Sequence, residues 1–460
     1  MRKFVCLLIV ILMLAGLTAC GTDSNLKSDN TAETSSAKAT QSDKSSTETS
    51  KKDKNSSKKK NSSKKKTSSK KTTSKNIGTE SENPSSKDVT TSSEKVVRQV
   101  EINAENQHYF KKVGRWIVNE KREGVGLNWN GASVEFKVEC KGVLYLYFNF
   151  PSNSAGIYVK MYVDGELIEE RTKIEKNNLP IASDLEFGVH TVKIVRLTDA
   201  EKGELTLIKI RGSNIKLMEE NFATNNNSLY IEAIGDSAFI GWGARLDDAF
   251  FADFKENQNT KLGTARDKEN QDGTIVYPYV AANMLGADAY MVAKQGVGIA
   301  ATYHRSNNNT VCIPRNGLLP TMYEYAAGSG NTKYIIDRLP DVFVIDAGAT
   351  DINSSLQKAV QDGDKLGINT ERAIEISVAF LEKLKTVNSK AKIIWCYGFK
   401  SQNKKLEEYI STIVAKAGGD ANGIYMLTLP TSARGDYASV KDHEAAAVVL
   451  ANKIKEVTKR

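Results

Sequence analysis

Apolar side chains change their spacing once along this 460-residue chain, and that change limits the folds open to it. From about residue 98 to residue 211 they recur at every second position. Trp129, Val134, Phe136 and Val138 alternate, followed by Leu144, Leu146 and Phe148, then Ile157, Val159, Met161 and Val163. Period two is the spacing of strands that bury one face. Asp164-Gly165 supplies a hairpin turn, and the alternation resumes over 189–194. Short strands with turns between them predict an antiparallel β-sandwich over 98–220. Beyond about residue 221 the apolar residues bunch into runs at 229–234, 342–345, 392–396 and 424–429, as in parallel strands buried on both faces. Segments with helical spacing lie between or after them, at 277–285, 370–385, 404–416 and 439–457. Strands alternating with helices predict an α/β domain with a parallel sheet over 221–460, whose chemistry belongs just beyond the carboxyl ends of its strands.

The formal charge of +9 raises the question of a nucleic-acid partner, and its location answers it. Arg2 and Lys3 supply two of the charges. Residues 21–97 supply the other seven, carrying 17 Lys against 10 acidic residues, so the remainder is formally neutral. No nucleic acid is therefore expected as a partner. Arg2 and Lys3 precede an apolar stretch over 4–17, the length of the core of an export signal. It ends in Leu17-Thr18-Ala19-Cys20, which resembles the bacterial lipoprotein signal in which the cysteine is lipidated after cleavage. Residues 1–20 are thus expected to be removed up to Cys20, leaving a membrane-anchored, extracytoplasmic lipoprotein at the bacterial surface. Residues 21–97 are rich in Ser, Thr, Lys and Asn, and no aromatic residue stands between Phe4 and Tyr109. Such a segment has too little to bury to offset its ordering entropy and is predicted to be a disordered tether. Cys140, Cys312 and Cys396 form neither a disulfide framework nor a zinc pattern, so no metal is expected.

The chemistry-bearing turns follow the apolar runs. Gly235-Asp236-Ser237 comes straight after the first, where a serine at a strand-to-helix turn can meet backbone donors able to hold a developing oxyanion. Gln295-Gly296-Val297-Gly298 and Gly348-Ala349-Thr350-Asp351 are two further polar turns at the same predicted edge. Their order and spacing resemble those of the SGNH (GDSL-type) hydrolases. The preceding domain is similar to the N-terminal domain of carbohydrate esterase family two, through Val113-Gly114-Arg115, Asn128-Trp129-Asn130-Gly131 and Tyr162-Val163-Asp164-Gly165. The resemblance spans roughly residues 105–460. It implies a jelly-roll-like β-sandwich followed by a flavodoxin-like SGNH hydrolase domain that removes acetyl groups from glycans without a cofactor. It also implies Ser237 as nucleophile, with its own N–H and that of Gly296 as oxyanion donors and Asp236 and Asp351 in support.

Two positions depart from the family pattern. Thr350 stands where the third turn carries an Asn donor, and removing one such donor costs about 3–4 kcal/mol in measured cases. Tyr437, in Tyr437-Ala438-Ser439-Val440, stands where the family has its general-base His. A serine hydroxyl needs a base to take its proton. The chain has four histidines: His108 and His190 in the sandwich, His304 after the Gly296 turn, and His443 in the last helix. His443 is the candidate replacement base, with His304 behind it, and a structural role in the last helix is the other reading open to His443. Trp242, in Gly241-Trp242-Gly243, is expected to line a sugar subsite or to pack against the sandwich. Three functions follow: an esterase acting on acetylated polysaccharide or cell-wall glycan, an inactive relative that binds glycan, or an envelope O-acyltransferase.

Overall fold

The computed structural model describes residues 97–103, 105–116, 124–151, 156–219, 228–249, 251–252, 271–301, 317–328, 332–352 and 370–460. The signal, Cys20, the tether, His304 and Cys312 lie outside the described residues. Among these residues no helix is long and apolar enough to cross a membrane.

Eight strands form one antiparallel sheet: β1 (Val97–Glu101), β2 (Lys111–Val113), β3 (Val125–Gly126), β4 (Ser133–Asn149), β5 (Tyr158–Val163), β6 (Glu166–Lys173), β7 (Asn178–Arg196) and β8 (Thr206–Met218). The order is β1-β8-β4-β7-β5-β6, with β2 beside β4 and β3 beside β8. Register shifts between Cys140 and Tyr145 interrupt the long central strand β4 where it pairs with β7, which lets so long a ribbon bend over its own apolar face. The jelly-roll core holds Val134, Phe136, Val138, Leu144, Leu146, Phe148, Val192 and Ile194. Each large side chain fully buried there stabilises the fold by about 1.5–3 kcal/mol.

A second sheet is wholly parallel: β9 (Tyr230–Gly235), β10 (Asp288–Ala293), β11 (Val342–Asp346), β12 (Lys392–Tyr397) and β13 (Ile424–Thr428), in the order β10-β9-β11-β12-β13. All six residues of β9 are buried, as a strand covered on both faces requires. Helices α1 (Tyr277–Met284) and α4 (Val440–Thr458) cover one face, where Tyr277, Ala281, Ala447 and Leu450 meet Ile231, Ala233, Val344 and Ile394. Helices α2 (Thr370–Val387) and α3 (Lys404–Lys416) cover the other, where Phe380, Leu381, Ile410 and Ile413 meet Tyr230, Ile345, Ile393 and Trp395.

The jelly roll docks on the β10 edge of this sheet, where Met291 N–H donates to the Asn130 carbonyl at 3.0 Å. Trp129, whose spacing groups it with the strand core, instead packs in the α/β core, and its indole N–H reaches the Ala326 carbonyl at 3.0 Å. Arg115 is fully buried and bonds Glu232 on β9 at 2.5 Å, Tyr290 at 3.2 Å and the carbonyl of Tyr325 at 3.1 Å. Burial opposes its charge, yet Glu232, Tyr290 and Tyr323 together raise its pKa above the ordinary arginine value.

Candidate functional site

Strand β9 ends at Gly235 because nothing larger fits. A Cβ there would lie 2.7 Å from both the Asp346 carbonyl oxygen and the Phe239 ring. The chain then turns through Asp236, whose carboxylate caps the 3-10 turn Ser237–Ile240 by accepting from the Ala238 N–H at 3.3 Å. The Asn130 side chain holds this turn from the jelly-roll side, donating to the Phe239 carbonyl at 2.5 Å. Ser237 heads the turn at the carboxyl edge of the sheet, with 8% of its surface exposed. Its hydroxyl oxygen accepts from Lys400 Nζ at 2.8 Å, and the same amine pairs with Asp236 Oδ1 at 2.5 Å.

The second and third turns are bonded to each other, and the second is bonded to the first. Lys294 N–H donates to the Gly235 carbonyl at 3.2 Å, and two residues on Gly296 takes a left-handed φ of +68°. The carboxylate of Asp351, fully buried in the third turn, accepts the N–H groups of Ile299, Ala300 and Ala301 at 3.0, 2.8 and 2.7 Å. Burial raises the Asp351 pKa, the three backbone donors pull it back, and Asp236 raises it further. Thr350, beside it, is half-buried.

Asp346, the last residue of β11, lies in register with Gly235. Burial and then Asp236 push its carboxyl up to about 6, against the pull of Lys400 and of the Tyr277 phenol, which donates to it at 2.8 Å. One amine thus bridges the serine hydroxyl and the Asp236 carboxylate, and the Asp346 carboxyl group lies within electrostatic reach of both charges. Neither Lys400 nor Asp346 figures among the residues expected from the sequence. Both stand where the sheet-edge rule points, at the carboxyl ends of β12 and β11. The turn after β12 opens on Gly398-Phe399-Lys400, a glycine-led triplet that ends in a lysine where the first turn ends in Ser237.

Of the two roles open to His443, the structure shows the structural one. Its Nδ1 accepts the Tyr277 N–H at 3.2 Å, and its ring lies 4.9 Å from that of Phe399, so it joins α4 to the start of α1. Burial pushes its pKa down to about 3. A base for Ser237 must reach the hydroxyl, and the hydrogen bond there comes from Lys400. His304, the other choice, lies outside the described residues. Trp242 differs from the expectation of a sugar subsite. It is 7% exposed and packs in the α/β core with its ring 5.6 Å from that of Tyr437, so it presents little surface for stacking a sugar. Tyr437 also faces the Phe251 ring at 6.3 Å.

The fold is a jelly-roll domain followed by an α/β domain with a wholly parallel five-stranded sheet, and a serine stands in the first turn at the carboxyl edge of that sheet. More particularly, residues 113–219 match the family described as carbohydrate esterase 2 N-terminal. No curated protein matches the chain. Among solved structures it is similar to a family two carbohydrate esterase from Clostridium thermocellum in complex with cellohexaose, with 18% identity and a TM-score of 0.60 over 76% of this chain and 99% of that one. It is similar too to a family two carbohydrate esterase from Cellvibrio japonicus (14% identity, TM-score 0.62, 79% and 98% covered). An acetyl xylan esterase from the rumen bacterium Butyrivibrio proteoclasticus gives 18% identity and a TM-score of 0.60, with 79% and 99% covered. At these identities the likeness is one of fold.

Proposed function

We propose that this chain is an esterase that removes O-acetyl or related acyl groups from carbohydrate, tethered outside the cell through lipidated Cys20. Ser237 is its nucleophile, and the Gly296 and Thr350 turns line the oxyanion side. The observation that carries the reading is the bonding of three successive turns at one sheet edge, through Lys294 to Gly235 and Asp351 to residues 299–301, around a serine hydroxyl already in polar contact. The likeness to carbohydrate esterases, two of them described with cellohexaose or as an acetyl xylan esterase, supports the substrate class. The test is acetate release from acetylated xylan by the full chain and by Ser237→Ala. Release that disappears with the variant supports the reading, and equal release from both overturns it.

A second reading, a glycan binder without turnover, draws on a different observation. Tyr437 occupies the family base position, and the Lys400 amine is paired with Asp236. Binding of acetylated xylan with no acetate release at any pH would favour it.

A further inference from the structure

We infer that Lys400 is the proton acceptor for Ser237, so that the site works as a serine–lysine pair in place of the missing histidine. The inference deepens the esterase reading and rests on it for the acyl substrate. Lys400 Nζ is the described partner of the Ser237 hydroxyl, 2.8 Å away and inside proton-transfer range. Among the described residues no histidine bonds that hydroxyl, and Tyr437 turns its ring to Trp242 and Phe251. Lysine serves as a base only as the free amine.

With the amine neutral, the steps balance. The Ser237 O–H bond breaks and its proton joins the Lys400 lone pair while the serine oxygen bonds the ester carbon. The carbon–oxygen bond to the sugar then breaks, and the departing alkoxide takes the proton from the Lys400 ammonium. Water repeats the sequence on the acyl-serine: it gives a proton to Lys400, its oxygen bonds the acyl carbon, and the released Ser237 oxygen recovers that proton as acetic acid leaves.

The surroundings set when the amine is free. Asp236 is paired with it, Asp346 lies within electrostatic reach, and Tyr277 donates to Asp346. Both carboxylates favour the ammonium, which donates a hydrogen bond to the serine and cannot accept its proton. The site is therefore restrained near neutrality and gains activity on the alkaline side, whereas a histidine base would act from about pH 6.5 upward.

The experiment measures labelling of Ser237 in the full chain by a serine-directed fluorophosphonate, read by intact mass, beside hydrolysis of an acetate ester, from about pH 6 to about pH 10. The variants are Lys400→Met and Lys400→Arg. Arginine keeps the charge and the pairing with Asp236 but does not release a proton in this range. The wild type should show both rates climbing through the alkaline range, and both variants should lose roughly a hundred- to ten-thousandfold and the climb with it. A Lys400→Arg chain that labels as fast as wild type, a profile already level near neutrality, or no labelling of the wild type at any pH overturns the inference. Lysine-dependent labelling without acetate release from acetylated glycan upholds the pair and overturns the carbohydrate reading. Acetate release that dies with Ser237→Ala yet survives Lys400→Arg does the reverse.

Discussion

At the scale of single residues, His443 and Asp346 pull the stability of the protein in opposite directions as pH changes. The His443 pKa is depressed by burial to about 3 in the folded chain. Its contribution is therefore complete above its unfolded value near 6.5 and is lost as pH falls toward 3, by up to about 1.4 kcal/mol per pH unit. The Asp346 pKa is raised to about 6, so its contribution is complete below its unfolded value near 3.9 and is lost as pH rises through 6. His443→Gln keeps an acceptor for the Tyr277 N–H and removes the imidazole titration. Urea midpoints from about pH 7 to about pH 4 should show the variant gaining on wild type as the solution is acidified. Parallel profiles would mean that the imidazole is not held neutral by the fold. The roles of these residues show how far composition reaches. Ser237 was legible because Gly-Asp-Ser follows an apolar run. Lys400 was not, because a lysine beyond a strand is usually solvated, and only its contact with a serine 163 positions earlier distinguishes it.

At the scale of elements, the site is assembled by loops that bond to one another. Asp351 is the clearest case, since one carboxylate serves three backbone donors of the preceding turn. Asp351→Ala leaves those amides unpaired, at about 1–3 kcal/mol for a buried group left unsatisfied, and frees the Gly296 turn. Chemical denaturation should show a loss of at least about 2 kcal/mol, and Ser237 labelling should slow in the same variant. Unchanged stability would show that the donors find other partners. The helices themselves were readable from spacing. The predicted segment 439–457 is α4 within one residue at each end, and Ser439 and Asp442 close its first turn as a capping box. Strands β9, β11 and β12 were readable as runs, since a strand covered on both faces can carry little but apolar side chains. The hydrogen bonds that join their loops were not, because short-range spacing holds no information about which distant backbone a carboxylate will meet.

At the scale of the whole molecule, the jelly roll is held to the α/β domain by buried polar groups as well as apolar ones. In the Arg115–Glu232 pair both partners are buried. Arg115→Met leaves the buried Glu232 carboxylate without its cation, although the phenols of Tyr290 and Tyr323 still donate to it, and should cost about 3–5 kcal/mol, while adding Glu232→Gln should recover part of that loss. Urea denaturation of the two variants checks both statements, and an additive double variant would show that the charges act independently. Period two, buried runs and helical spacing by themselves determined the order of the two sheets, the parallel direction of the second and the position of its carboxyl edge, because each is a local consequence of which side chains can be taken out of water. Three-dimensional packing alone decided that His443 ties two helices, that Trp242 is interior and that a lysine lies on the serine. Those outcomes depend on close approach between segments far apart in the chain, and no property of either segment in isolation specifies the meeting.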